Sequence, residues 1–154
     1  MGVLELTALP SIDRARRESW VRRADVLLVN GGDALYLCPW MRESGLAALL
    51  QTLPDMVWAS LSAGSRVMTP RVGDDFVEMK PPITSDDRAL GIVDFSIFPH
   101  LDHPEFTENT MAAAQRWAAG LGCPAYAIDD ETALKVVDGV VEVVSEGPWR
   151  FFAG

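Results

Sequence analysis

Short apolar runs alternate with longer amphipathic stretches along this chain. Ala24-Asp25-Val26-Leu27-Leu28-Val29 is mostly apolar and stops at Asn30-Gly31-Gly32-Asp33, the profile of a buried parallel strand. Met56 to Leu61 is a second such run and ends in Ser62-Ala63-Gly64-Ser65. Leu90 to Phe98 has strand character and ends at Pro99-His100, and Ala125 to Ile128 ends in Asp129-Asp130-Glu131. Between these runs lie three helical patterns. They are Ser11 to Arg23 with Ser11 as N-cap, Ala34 to Gln51 interrupted near Pro39 and Gly45, and Thr107 to Gly120, capped by Thr107 and stopped by Gly120. Val3 to Leu9 alternates weakly, as a strand closed by Pro10. Arg66 to Leu90 carries Pro70, Gly73, Pro81 and Pro82 and predicts a long irregular excursion, the kind of loop that borders a site. Ala133 to Val137 and Val140 to Ser145, joined at Asp138-Gly139, predict a β-hairpin. The alternation predicts an α/β fold, a three-layer sandwich with a mostly parallel central sheet and a C-terminal β-hairpin, in one domain over residues 1–154.

Parallel sheets bind ligands beyond the carboxyl ends of their strands. Here each strand end carries residues with chemical potential. Ser62 sits where a strand turns abruptly into a helix, which thrusts a hydroxyl out of the backbone; Ala63 and Gly64 leave room for another segment to approach. A serine hydroxyl is a weak nucleophile without an adjacent base. His100 is the candidate base, with His103 as an alternative. Asp130 is the first choice for the carboxylate that orients the imidazole; Glu131, Asp74 and Asp75 compete for that role. The backbone N–H groups of Ala63 and of Gly31 or Gly32 are candidate oxyanion donors. Taken singly these features have plainer readings. Gly31-Gly32 suits any tight turn between strand and helix, and an acidic triplet is commonly a solvated turn.

Composition narrows the function classes. Thirteen Lys and Arg against 22 Asp and Glu give a net charge of −9, which opposes nucleic-acid binding. The basic cluster Arg14, Arg16, Arg17, Arg22 and Arg23 reads as a solvated helix face. Cys38 and Cys123 lack Cys-x-x-Cys spacing and read as reduced thiols of a cytoplasmic protein. No apolar stretch approaches the ~18 residues of a membrane span, and no signal-peptide pattern opens the chain, so no membrane partner is expected. With no metal-ligand cluster or phosphate-binding glycine loop in the sequence, neither a metal nor a cofactor is expected.

Five stretches together resemble one known family. They are Ala24-Asp25-Val26-Leu27-Leu28-Val29-Asn30-Gly31-Gly32-Asp33-Ala34-Leu35-Tyr36-Leu37; Arg42-Glu43-Ser44-Gly45-Leu46; Ser62-Ala63-Gly64-Ser65 with Met68-Thr69-Pro70; Leu90-Gly91-Ile92-Val93-Asp94-Phe95 leading to Pro99-His100; and Tyr126-Ala127-Ile128-Asp129-Asp130-Glu131-Thr132-Ala133-Leu134. In this order they resemble the S51 serine peptidases, which include aspartyl dipeptidase (peptidase E) and cyanophycinase. The fold of that family is similar to class I glutamine amidotransferases, with Ser in place of the nucleophilic Cys. The resemblance implies hydrolysis of small peptides through an acyl-enzyme, with a triad of Ser62, His100 and an acid at the Asp130 position. It also implies a cation for acidic substrates, for which Arg66 is the first candidate and Arg71 and Arg88 the others.

The chain departs from the family pattern in several places. Asp130 replaces the usual Glu and must reach from further back. The usual Gly two residues before the nucleophile is Ser60, which can crowd the turn. The usual Gly-Gly-Asn-Thr reads Gly31-Gly32-Asp33-Ala34, so a carboxylate either opposes the developing oxyanion or caps the next helix. Family members begin with an additional strand and helix before the segment matching Met1 to Leu9. Without it one flank of the sheet is expected to be open, to be covered by homodimerisation or by residues upstream of Met1. The alternative to a peptidase is a catalytically impaired relative acting as a binding or assembly module. Amidotransferase-like chemistry is disfavoured by the serine.

Overall fold

The computed structural model describes residues 2–5, 8, 11–76 and 86–154. Helix α1 (Arg14–Arg22) leads into β1 (Val26–Val29), and α2 (Ala34–Glu43) and α3 (Leu46–Leu50) lead into β2 (Val57–Ser60). The short α4 (Ala63–Arg66) follows, then a 3-10 turn at Asp74–Phe76, β3 (Ser96–Phe98), α5 (Met111–Leu121) and β4 (Ala125–Ile128). The chain closes with β5 (Thr132–Val137), β6 (Val140–Ser145) and β7 (Trp149–Phe152). The fold is mixed α/β, as the alternation of patterns predicts.

The central sheet is smaller and more divided than expected. β1 and β2 pair in parallel with Val29 opposite Ser60, and β3 and β4 pair in parallel with Phe98 opposite Ala127. β7 adds antiparallel to β4, a strand that the sequence reading did not anticipate. β5 and β6 form their own antiparallel ladder around Asp138-Gly139, whose φ values of 52° and 77° suit a tight hairpin turn. The strand expected over Leu90–Phe98 is confined to its last three residues. Upstream, the N–H groups of Leu90, Gly91, Ile92 and Val93 bond to carbonyls of Val67, Thr69 and Met68, so that stretch is tied to the chain after α4.

Helix ends differ from expectation where capping groups compete. Asp13, not Ser11, caps α1: its carboxylate accepts the Arg16 N–H at 3.0 Å, while the Ser11 hydroxyl donates to the Ala8 carbonyl. The interruption after α2 falls at Gly45, where φ is 76°, and the helix runs through Pro39. A left-handed residue there satisfies an end carbonyl, with the Gly45 N–H bonded to Arg42 O. α5 runs from Met111 to Leu121, with Thr110 as N-cap and Gly122, φ 67°, as C-cap, instead of from Thr107 to Gly120. Of the strand expected over Val3–Leu9, residues 3–5 are irregular and Ala8 lies in a 3-10 turn. The rest of it, with Pro10, lies outside the described residues, as does 77–85 of the irregular excursion.

Two apolar clusters hold these elements. Leu35, Cys38 and Met41 of α2 are buried at helical spacing against Leu46 and Leu49 of α3 and Ala63 and Val67 around α4, with Leu27 of β1 and Trp58 of β2 packed on them. Ala114, Trp117, Ala118 and Leu121 make one buried stripe of α5 against Phe98, Ala125 and Ala127 of the second sheet. Asp87 anchors the excursion between the clusters. Its carboxylate accepts both contacts from Arg71 Nε, at 2.9 and 3.0 Å, and the Gly73 N–H at 3.0 Å. That hydrogen bond holds the Arg71 guanidinium above its ordinary pKa. Among the described residues no strand pairs with the second edge of β1, and Leu28 is 75% exposed. None of the described helices is long and apolar enough to cross a membrane.

Candidate functional site

Register brings the strand ends together. Val29 lies opposite Ser60 across β1 and β2, so two residues further on Gly31 lies beside Ser62. A Cβ built on Gly31 would sit 3.4 Å from Ser62 Cβ and 3.8 Å from its Oγ. Ser62 itself has φ 48° and ψ −117°, a backbone conformation that side-chain-bearing residues rarely adopt. The turn holds because α4 starts at once, with the Ser65 and Arg66 N–H groups both bonded to the Ser62 carbonyl at 3.0 Å. Gly64 lets the turn dock on β1: a Cβ there would meet Val29 O at 2.7 Å and Asn30 O at 3.0 Å. Neither backbone atom can yield. Gly64→Ala is therefore expected to destabilise the chain by about 1–3 kcal/mol, read as a lower urea midpoint; an unchanged midpoint would refute the tight docking.

The second sheet supplies the other side chains. Phe98 opposite Ala127 carries His100 alongside Asp129 and Asp130. His100 has φ 54°, and the next N–H, of Leu101, bonds to Ile128 O at 3.0 Å. The imidazole bridges the two sheets. Its Nδ1 lies 2.6 Å from Asp130 Oδ1, and its Nε2 lies 3.3 Å from Ser62 Oγ. A ring nitrogen facing a carboxylate carries the proton, which leaves Nε2 as an acceptor toward the hydroxyl.

The acidic triplet divides its work. Asp129 Oδ1 accepts the Glu131 N–H and the Thr132 hydroxyl, Asp130 faces His100, and Glu131 is exposed. Asp74 and Asp75, the other candidate acids, lie in the 3-10 turn. Among the three expected N–H donors, that of Gly31 is taken by Asn30 Oδ1 at 2.8 Å. Among the described residues no acceptor meets the N–H of Gly32 or Ala63.

The three arginines are engaged elsewhere. Arg66 is buried, with its guanidinium 4.2 Å over the Phe76 ring and 3.5 Å from Val72 O. Arg71 pairs with Asp87 and also reaches Leu121 O, and Arg88 lies 3.8 Å from Asp86.

Sequence reasoning missed two residues that support His100. Phe106 stacks on His100 with ring centroids 4.7 Å apart and planes at 29°. Asn109 donates from Nδ2 to Pro99 O at 3.0 Å, steadying the residue before His100. The available signal was an aromatic and an amide in a polar stretch that otherwise reads as the start of a helix. A cleft of about 1140 Å³ borders β1 and takes in Gly31, Gly32 and Ala63; its described lining includes neither Ser62 nor His100.

The model of peptidase family S51 matches residues 2–144. The chain belongs to peptidase family S51. Among S51-like relatives, an uncharacterized peptidase of Pasteurella multocida (strain Pm70) is 26% identical over 119 residues, 73% of this chain and 56% of that protein. The chain thus spans little more than half the length of that relative. A solved structure from Listeria monocytogenes EGD-e, described as a candidate peptidase E, matches with a TM-score of 0.72 at 20% identity. The match covers 90% of this chain and 68% of that one and shows a shared fold.

Two departures from the S51 pattern find local partners here. The Ser60 hydroxyl pairs with Ser65 Oγ at 3.0 Å. Asp33 caps α2, with Oδ1 accepting the Leu35 and Tyr36 N–H groups at 2.8 and 3.0 Å. Of the two readings of that carboxylate, helix capping is the one its contacts match.

Proposed function

We propose that this chain is a serine-type peptidase that hydrolyses small peptides, with Ser62 as nucleophile, His100 as general base and Asp130 as the orienting acid. The observation that carries the reading is the continuous chain of contacts from Asp130 Oδ1 through both nitrogens of His100 to Ser62 Oγ. Ser62 occupies a nucleophile elbow on this reading, and its backbone strain holds the hydroxyl toward the imidazole. The 3.3 Å separation tightens when substrate binds, as such contacts do in Michaelis complexes.

The chemistry then runs in two halves. His100 Nε2 takes the Ser62 proton as Oγ bonds to the scissile carbonyl carbon, and the imidazolium is stabilised by Asp130. The N–H groups of Gly32 and Ala63 receive the oxyanion, each typically supplying ~3 kcal/mol of barrier lowering. The proton passes to the leaving amine, and an acyl-enzyme remains on Ser62. Water, deprotonated by His100, releases the acid product. A cytoplasmic setting agrees with the unpaired thiols Cys38 and Cys123.

The impaired-module reading loses one of its supports, because the Ser60 hydroxyl is engaged by Ser65 Oγ, and Asp33 has a capping task on α2 through Oδ1. A fluorophosphonate probe tests the proposal directly. We expect one adduct per chain, mapped by peptide mass to Ser62. A folded chain that stays unlabelled, or labels elsewhere, would sink it.

A further inference from the structure

His103 is an alternative base by sequence, yet its placement gives it a different task. Its Nε2 lies 3.5 Å from Asp130 Oδ2, the carboxylate oxygen that His100 does not use. Its Nδ1 accepts the Glu105 N–H at 3.1 Å. A nitrogen that accepts carries no proton, so the proton sits on Nε2, the nitrogen 3.5 Å from Asp130 Oδ2. Asp130 therefore lies between two imidazoles, one on each oxygen.

The loop that carries His103 is built to hold it there. The Phe106 N–H bonds to His103 O at 3.0 Å, the Asn109 N–H to Phe106 O at 2.8 Å, and the Asp102 N–H to Asn109 O at 2.8 Å. Phe106 packs on both rings, 4.7 Å from His100 and 5.3 Å from His103 between centroids. Asp130 needs such support. Its side chain is 47% exposed, against 25% for His100, and it is shorter than the Glu expected from the family resemblance. A half-exposed carboxylate held at one oxygen can rotate about its last bond; contact at the second oxygen fixes its plane.

We propose that His103 is a positioning residue, holding Asp130 Oδ2 so that Oδ1 stays on His100 Nδ1. This rests on the peptidase reading above. His103 touches no reacting atom and acts through Asp130 alone. His103→Ala removes the second contact, whereas His103→Gln returns an N–H donor near the position of Nε2.

The test compares rates of Ser62 labelling by a fluorophosphonate in the wild type, H103A and H103Q, with 15N spectra of the wild-type imidazoles. We expect labelling to slow about 10- to 100-fold in H103A, and H103Q to recover most of the loss. A purely structural role would not follow the donor in this way. The spectra are expected to show His103 protonated on Nε2. Equal rates in wild type and H103A, or His103 protonated on Nδ1, overturn the positioning role and leave the triad reading standing. Absence of Ser62 labelling in the folded wild type overturns both. Should H103A fail to fold, the wild-type tautomer still decides.

Discussion

Ser62→Ala is expected to lower peptide turnover by about 10⁴-fold or more, with little change in folding. The hydroxyl makes one described side-chain contact, to His100 Nε2, so its loss removes the nucleophile without opening a cavity. Ala tolerates the φ of 48° no better than Ser does, so backbone strain is nearly unchanged. The sharper form of the prediction is non-additivity. His100→Ala should cost a similar factor, and the double variant should be no slower than either single one, because nucleophile and base act as a unit. Steady-state kinetics on a chromogenic dipeptide substrate would check this. Losses that multiply in the double variant would show that the two side chains work independently.

Asp130→Asn is the second large effect. The amide can still meet His100 Nδ1, but it can donate where the carboxylate only accepts. A donor at Nδ1 moves the ring proton to Nε2, which then faces Ser62 Oγ with an N–H instead of a lone pair. In Ser-His-Asp sites this exchange lowers kcat by about 10⁴-fold with the geometry kept. Asp130 is half-exposed and makes no described contact to a core element, so the melting temperature should hardly move. Asp130→Glu is expected to retain far more activity, since the family resemblance places Glu in this role. A loss below about 10-fold in the asparagine variant would transfer the orienting role to another group.

Much of this arrangement was legible along the chain. Apolar runs closed by Gly, by Ser or by an acidic triplet located β1, β2 and β4 to within two residues. Asp138-Gly139 located the hairpin, because a turn with two positive φ values leaves few other sequences. The parallel pairing of β1 with β2 and of β3 with β4 then places Ser62 and His100 at carboxyl ends, where the pattern put them. β7 escaped notice, since four residues of mixed character signal little by themselves until β4 offers an edge. The start of α5 escaped for the opposite reason. Residues 107–110 have helical spacing, but Asn109 and Asp102 close a loop whose bonds outcompete another helical turn.

Local patterning alone settled β1, β2, β4 and the β5–β6 hairpin and which side chains stand at the tips of β1, β2 and β4, because burial and turn chemistry act over a few neighbouring residues. Choice among near-equivalent groups needed the folded chain. Asp129, Asp130 and Glu131 are alike in a sequence, yet one caps a turn, one meets His100 and one faces solvent. The same holds for His103 beside Asp130, for Gly31 spending its N–H on Asn30, and for Arg66 lying over Phe76. Those assignments depend on register and backbone angles contributed by residues far apart in the chain, and a shift of one position would send each group to a different partner.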